Sequence, residues 1–134
     1  MTTTRTTAAR LRRYHPNAYQ FLFQSLQFTQ QRLGRSSANA RSEEDAHISG
    51  QELSEGIGEL ARRQFGLMAR AVFRNWGITE TADFGRMVFE MIERGEMKKT
   101  ERDRLTDFYD VYDFADAFER DYTIDTAQAF RRHS

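Results

Sequence analysis

The chain holds one proline in 134 residues, and its apolar side chains recur at the three- and four-residue spacing of α-helices. Proline disrupts helix interiors, so its scarcity leaves long segments able to be helical. Pro16 lies where a helix tolerates proline, in the first turn, and Gly34 is a plausible stop. A first helix is therefore predicted from Pro16 to Leu33, and the pattern as a whole predicts an all-α fold.

Capping and turn signals place four further helices. Ser49 and Glu52 have the spacing of a capping box, and the apolar pattern extends the helix that they start to Asn75, with Gly66 as a candidate kink. The other helices are predicted at Thr81–Arg94, with Thr79 or Thr81 as the cap, at Thr100–Phe108 and at Phe114–Tyr122. Residues 14–124 are thus expected to form a single compact domain of about five helices around the long central one. Residues 1–13 are expected to be a flexible basic arm and residues 125–134 a tail.

The formal net charge is zero, but the charges are unevenly distributed along the chain. Seven arginines and no acidic residue precede Glu43, so residues 1–42 carry +7 and the remainder carries −7. Either the basic end folds against the acidic end of the same molecule, or it binds a partner. Arg10, Arg12 and Arg13 of the arm are candidate partner-binding residues, and the arm could contact RNA.

Composition excludes several protein classes. An aromatic content of 13% is too high for a disordered chain. The absence of cysteine excludes a disulfide framework and a thiol nucleophile. No apolar run approaches the roughly 20 residues of a membrane span, so we expect no membrane partner.

Five acidic residues recur at every third position near the C-terminus. They are Asp107, Asp110, Asp113, Asp116 and Glu119, and the first four are candidate partner-binding residues. On a helix each acid would fall about 60° behind the last, so the five could not converge on one ion. The segment also lacks the glycine of an EF-hand loop. We therefore predict a solvated acidic surface and no metal site.

Little in the sequence points to catalysis. His47 precedes the capping box within reach of Glu52, and a His–Glu pair can act as a general base, which makes these two weak catalytic candidates. The simpler interpretation is a loop histidine beside a glutamate that already caps Ser49. An enzyme would need a pocket near His47, which we would place among Phe65, Met68, Trp76 and Phe84. No cofactor is predicted.

The stretch from Trp76 to Met97 superficially resembles a helix-turn-helix. Its second helix carries Glu80, Asp83, Glu90 and Glu93 against the single basic Arg86. Because a reading helix must approach the phosphates of DNA, this acidic excess argues against specific DNA recognition.

Three strings together resemble a known family: HISGQELSEGI, QFGLMARAVFRNWGITETADFGRMVFEMIERGEMKKTERD and DFYDVYDFADAF. They are similar to a small bacterial family of conserved hypothetical proteins named for planctomycetes and verrucomicrobia. The resemblance covers roughly residues 14–120. It implies a cytoplasmic bacterial protein of about this length, and it implies neither an established activity nor any site residue.

The sequence favours a non-enzymatic interaction or adaptor module. The expected partner is a protein, with RNA binding through the arm and an enzyme or enzyme subunit as alternatives. A homodimer, in which the basic arm of one copy docks on the acidic segment of another, is left open.

Overall fold

The computed structural model describes residues 13–35, 47–97 and 103–120. This part of the chain is all-α and contains no strand, as predicted. Its four α-helices are α1, Pro16–Arg32; α2, Gly50–Phe65; α3, Ala69–Asn75; and α4, Thr81–Glu93. Two 3₁₀ turns, Gly66–Met68 and Leu105–Phe108, and a π-helical turn, Asp116–Arg120, complete it. None of the described helices is long and apolar enough to cross a membrane.

Local capping signals in the sequence are realised in the structure. The backbone N–H of Ser49 donates to Glu52 Oε1 at 3.0 Å, and the N–H of Glu52 donates to Ser49 Oγ at 3.1 Å, so the predicted capping box forms. Gly77 ends α3 at φ 89°, and the N–H of Ile78 donates to the Phe73 carbonyl at 2.8 Å. That is the Schellman arrangement, which fixes where the helix stops.

The prediction of one long central helix is wrong, because the helix breaks at Gly66. This glycine has φ 54° and ψ −128°, a conformation that side-chain-bearing residues rarely adopt. The chain makes a 3₁₀ turn and then restarts as α3. The break removes Met68 from the predicted apolar stripe, and its side chain is 61% exposed.

The cap of α4 also differs from the prediction. The N-cap is Glu80, because Asp83 Oδ2 accepts hydrogen bonds from the backbone N–H groups of Thr79 at 2.9 Å and Glu80 at 3.2 Å. The hydroxyl of Thr81 instead donates to the Phe108 carbonyl at 2.7 Å. It also accepts from the N–H of Val111 at 3.1 Å, which fastens the C-terminal segment to α4.

Of the predicted helix Thr100–Phe108, the structure describes residues 103–108, in which Leu105–Phe108 is a 3₁₀ turn. Thr100 lies outside the described residues. The carboxylate of Asp103, just before this turn, is paired with His47. The last helix begins near Phe114 as predicted, and Asp113 Oδ2 accepts the N–H of Asp116 at 3.1 Å at its start. The proposed end at Tyr122 lies outside the described residues.

Aromatic side chains fill the centre of the fold. Phe73 has ring contacts with Phe84, Phe114 and Phe118, at centroid distances of 5.7, 5.6 and 5.4 Å. Glycines allow the surrounding elements to approach closely. A Cβ at Gly85 would lie 2.8 Å from the Phe108 ring.

Candidate functional site beside helix α4

An open cleft of about 600 Å³ lies along α4, beside the point where the N-terminal arm joins the domain. Its lining comprises three arginines, two glutamates and two apolar side chains: Arg13, Arg86, Arg94, Glu90, Glu93, Phe89 and Leu105. Guanidinium groups form charge-assisted hydrogen bonds with carboxylates and phosphates, and the two apolar side chains offer a dry contact. The α4 cleft therefore suits a ligand that combines an anion with an apolar group.

Asp83, which is 6% exposed, holds the lining residue Arg86 in place in the α4 cleft. Asp83 Oδ1 accepts from the Tyr14 hydroxyl at 2.6 Å and from Arg86 Nη1 at 2.7 Å. Burial alone would raise the pKa of Asp83, but the hydrogen bonds from Tyr14, the backbone and Arg86 outweigh it and lower that pKa. The pKa of Tyr14 is raised by burial and by the adjacent carboxylate.

A second network of the same kind lies two turns further along α4. The Tyr19 hydroxyl donates to Glu90 Oε2 at 2.5 Å, and Arg94 Nη2 donates to Glu90 Oε1 at 2.6 Å. The Arg94 guanidinium also lies over the Tyr19 ring, 5.8 Å from its centroid. Burial and the hydrogen bond to Glu90 raise the pKa of Tyr19.

These networks hold two of the arginines in fixed positions. Each guanidinium has five N–H donors, so Arg86 and Arg94 retain donors beyond the bonds to their own carboxylates. Arg94 Nη1 is buried and has no hydrogen-bond acceptor among the described residues. Arg13 is exposed and has no ion pair within that same part of the chain. Arg86 Nη1 also lies 3.5 Å from Glu80 Oε2, and Arg94 Nη1 lies 3.9 Å from Glu96 Oε1, so Arg13 is the lining arginine that has no ion pair in the described part of the chain.

Of the three arm arginines predicted to bind a partner, the structure places Arg13 in the α4 cleft. Arg10 and Arg12 lie outside the described residues. The base of the arm therefore lies beside Glu90, Glu93 and Leu105.

The predicted acidic residues lie elsewhere. Asp107 and Asp116 are half-buried, whereas Asp110 and Asp113 are exposed, and none of the four lines the α4 cleft. Asp110 adopts a left-handed backbone conformation with φ 49°. The segment is not a continuous α-helix, so the helical geometry assumed for its acids does not apply to its first half.

The His47 side chain is paired with Asp103, not with Glu52. His47 Nε2 lies 2.7 Å from Asp103 Oδ1, and the two side chains are 11% and 20% exposed. Glu52 instead accepts from Ser49 and from Arg35 Nη1 at 2.6 Å. Burial would raise the pKa of Glu52, but these hydrogen bonds lower it. His47–Asp103 therefore joins the start of α2 to the segment that leads into the second 3₁₀ turn.

The residues suggested for an enzymatic pocket differ widely in exposure. Phe84 is 1% exposed in the core, and Met68 is 61% exposed at the surface. Phe65 and Trp76 pack edge-to-face at 5.7 Å. None of the four lines the α4 cleft or the smaller cleft described next.

A smaller cleft of about 420 Å³ lies between α1, α2 and the last helix. Its charged lining comprises two arginines and three glutamates, Arg32, Arg62, Glu52, Glu55 and Glu59. Arg32 is ion-paired with Glu59, and Arg35 with Glu52. Tyr112 donates to the Ser54 carbonyl at 2.6 Å, and burial raises its pKa. With three acids against two bases, this lining suits an anionic ligand less well than that of the α4 cleft, which has three bases against two acids.

Within residues 13–35, 47–97 and 103–120, no group of three or more histidine or carboxylate side chains is placed to hold a metal ion. No family model matches the chain, and no curated protein or solved structure matches it either. The geometry of the site is therefore what indicates a function.

Sequence reasoning missed the two tyrosine–carboxylate–arginine networks. Tyr14 is 69 positions from Asp83, and Tyr19 is 71 positions from Glu90. The one signal available was the arginine that follows each acid at helical spacing, Arg86 after Asp83 and Arg94 after Glu90.

Proposed function

We propose that this protein is a non-enzymatic interaction module whose α4 cleft binds an acidic segment of a partner protein. The observation that carries the proposal is the lining of the cleft, which combines three guanidinium groups with the apolar side chains of Phe89 and Leu105. A carboxylate on the ligand would bind the arginines, and a neighbouring apolar side chain would pack on Phe89 and Leu105. The dense aromatic core supports a binding role rather than an internal reaction chamber.

A protein ligand fits the cleft better than RNA does. Glu90 and Glu93 belong to the same wall as the arginines. A nucleic acid carries a charge on every phosphate, so it could not avoid these carboxylates along its length. An acidic peptide can place one carboxylate beside Arg13 and direct an uncharged residue toward Glu93.

The test is fluorescence anisotropy with a labelled peptide of alternating glutamate and leucine. Arg13→Gln is expected to weaken binding about fivefold, which corresponds to one exposed ion pair. Arg32→Gln is the matched control because it removes the same charge from an exposed side chain outside the α4 cleft, and it should leave binding unchanged.

Three results would contradict the proposal. The peptide could fail to bind, Arg32→Gln could weaken binding as much as Arg13→Gln, or a lysine–leucine peptide could bind equally well. If labelled oligouridylate binds more tightly than the acidic peptide and depends on Arg13, the RNA alternative replaces the protein one.

Membership of the planctomycete and verrucomicrobial family and a cytoplasmic location belong to the same proposal. They are supported by the three strings quoted above. Fractionation of native cells should recover the protein with cytosolic markers, and recovery with periplasmic or membrane markers would contradict this part.

A further inference from the structure

The break at Gly66 exposes two adjacent apolar side chains. Leu67 is 64% exposed and Met68 is 61% exposed, more than any other large hydrophobic residue in the described part of the chain. Both lie on the 3₁₀ turn that follows the positive-φ glycine. Isolated exposed apolar residues are common, but two consecutive ones at a helix break form a protruding contact point.

Basic residues surround this turn. Residues 60–79 contain four arginines and no acidic residue. Arg63 is 63% exposed and ion-paired with Glu59 at 3.1 Å, and Arg70 is 33% exposed. Arg74 is exposed and has no ion pair among the described residues. We call Arg63, Leu67, Met68, Arg70 and Arg74 the basic corner.

An acidic surface adjoins the basic corner. Residues 105–119 contain five acids and no basic residue. Asp110 and Asp113 are exposed and Glu119 is 55% exposed, and we call these three the acidic strip. Arg70 Nη1 lies 2.8 Å from Glu119 Oε1, and the turn Gly66–Met68 packs against the last helix. The two surfaces therefore meet at the Arg70–Glu119 pair.

We propose that the basic corner binds the acidic strip of a second copy of this chain. A two-fold axis near the border of the two surfaces would place the basic corner of each copy against the acidic strip of the other. Leu67 and Met68 of both copies would then be buried. The neutral total charge fits such a self-complementary arrangement. An anionic membrane fits less well, because the adjoining acids would repel its headgroups.

Sedimentation equilibrium of the full chain tests the dimer. The wild type should dimerise at micromolar to millimolar concentrations, and added salt should weaken the dimer. Leu67→Ser with Met68→Ser should weaken it at least about tenfold. Phe23→Ser is the control, since Phe23 is 37% exposed on α1 and belongs to neither surface.

Charge reversal gives a sharper test. Arg63→Glu with Arg74→Glu places acids on the corner, and Asp110→Arg with Glu119→Arg places bases on the strip. Each of these two double variants should be monomeric alone, because its corner and its strip then carry charges of the same sign and repel each other in both contacts of the dimer. A mixture should form dimers, because each corner then meets a strip of opposite charge. Dimers in the mixture would also show that both variants fold.

The proposal is overturned if the wild type stays monomeric up to about 1 mM. It is also overturned if the mixture stays monomeric while both variants keep the wild-type circular dichroism, or if Phe23→Ser weakens the dimer as much as the double serine variant. If the wild type stays monomeric and binds phosphatidylserine vesicles, the partner of the basic corner is a lipid surface and not a second copy. Assembly beyond a dimer would contradict the two-fold arrangement.

Discussion

At the scale of single residues, Asp83 links the start of the domain to α4. It receives hydrogen bonds from Tyr14, Arg86 and two backbone N–H groups, which satisfy both of its oxygens in a buried position. A buried carboxylate is costly unless it is paired in this way. The same residue therefore caps α4, holds Arg86 in the cleft wall and fixes Tyr14 next to Arg13.

Removal of one donor to this carboxylate should be measurable as lost stability. We expect Tyr14→Phe to lower the free energy of unfolding by about 1–3 kcal/mol, since a hydrogen bond to a buried charged acceptor is lost. Urea denaturation measures the change. Tyr109→Phe is the control, because Tyr109 is 48% exposed, and it should change stability little. Equal losses in the two variants would contradict the role assigned to Asp83.

The lowered pKa of Asp83 predicts a pH dependence of stability. The folded state binds this proton less readily than the unfolded state, so the ionised carboxylate stabilises the fold above the ordinary aspartate pKa. That contribution is lost as the pH falls through the lower folded-state value. The difference in unfolding free energy between wild type and Asp83→Asn should be largest near neutral pH. It should shrink below about pH 4. A difference that is constant with pH in urea titrations would contradict this assignment.

At the scale of elements, glycine decides where the second helix stops and how closely it packs. Gly66 breaks the helix at φ 54° and ψ −128°. Gly56, within α2, faces α1, where an added Cβ would lie 1.9 Å from Thr29 Oγ1. One glycine thus sets a backbone conformation and the other allows two helices to approach.

Gly66→Ala should destabilise the fold by about 1–3 kcal/mol, because alanine is strained in this backbone conformation. Gly34→Ala is a graded control. Gly34 also has a positive φ, 69°, but nothing lies within 4 Å of an added Cβ there. Gly34→Ala should therefore lower the free energy of unfolding by less than Gly66→Ala does, by about 1 kcal/mol. Thermal denaturation compares the two, and a stabilising Gly66→Ala would mean that the helix continues through this position.

Gly56→Ala should destabilise by about 1–3 kcal/mol through overpacking against Thr29. Thr29→Ala removes the closest atom, so the double variant should lose less stability than the sum of the two single variants. If the stability loss of the double variant instead equals the sum of the two single losses, the two positions are not in contact.

Local signals explain which elements the sequence could predict. The Ser49–Glu52 capping box depends on neighbours within a few residues and formed as predicted, and the Gly77 stop is equally local. The cap of α4 was assigned to threonine, a common capping residue, whereas Asp83 in the first turn accepts the backbone N–H groups of Thr79 and Glu80. The length of the second helix was overestimated because a glycine within an apolar pattern does not reveal its φ.

The candidate site was less predictable than the fold. Arg13 was identified from charge alone, and its neighbours on α4 come from more than 70 positions away in the sequence. The acidic residues identified with it prove to lie on a different surface from the α4 cleft. Charge patterning thus located the groups, but only tertiary structure shows which of them meet.

At the scale of the whole molecule, the zero net charge is the sum of distinct basic and acidic surfaces. Arg13, the basic corner and the acidic strip lie on different elements of the fold. Peptide binding in the α4 cleft should weaken as NaCl rises from about 50 mM to about 500 mM, because exposed charges are screened. Affinity that is unchanged over this range would show that apolar contact alone drives binding.

The most direct test of the central claim is a ¹H–¹⁵N NMR titration of the full chain with the glutamate–leucine peptide. Saturable shifts of backbone amides should concentrate on Arg13, Phe89, Glu93 and Leu105, and these shifts should be reduced in Arg13→Gln. Shifts confined to other surfaces, or no saturable shift at millimolar peptide, would contradict the assignment of the α4 cleft as the binding site.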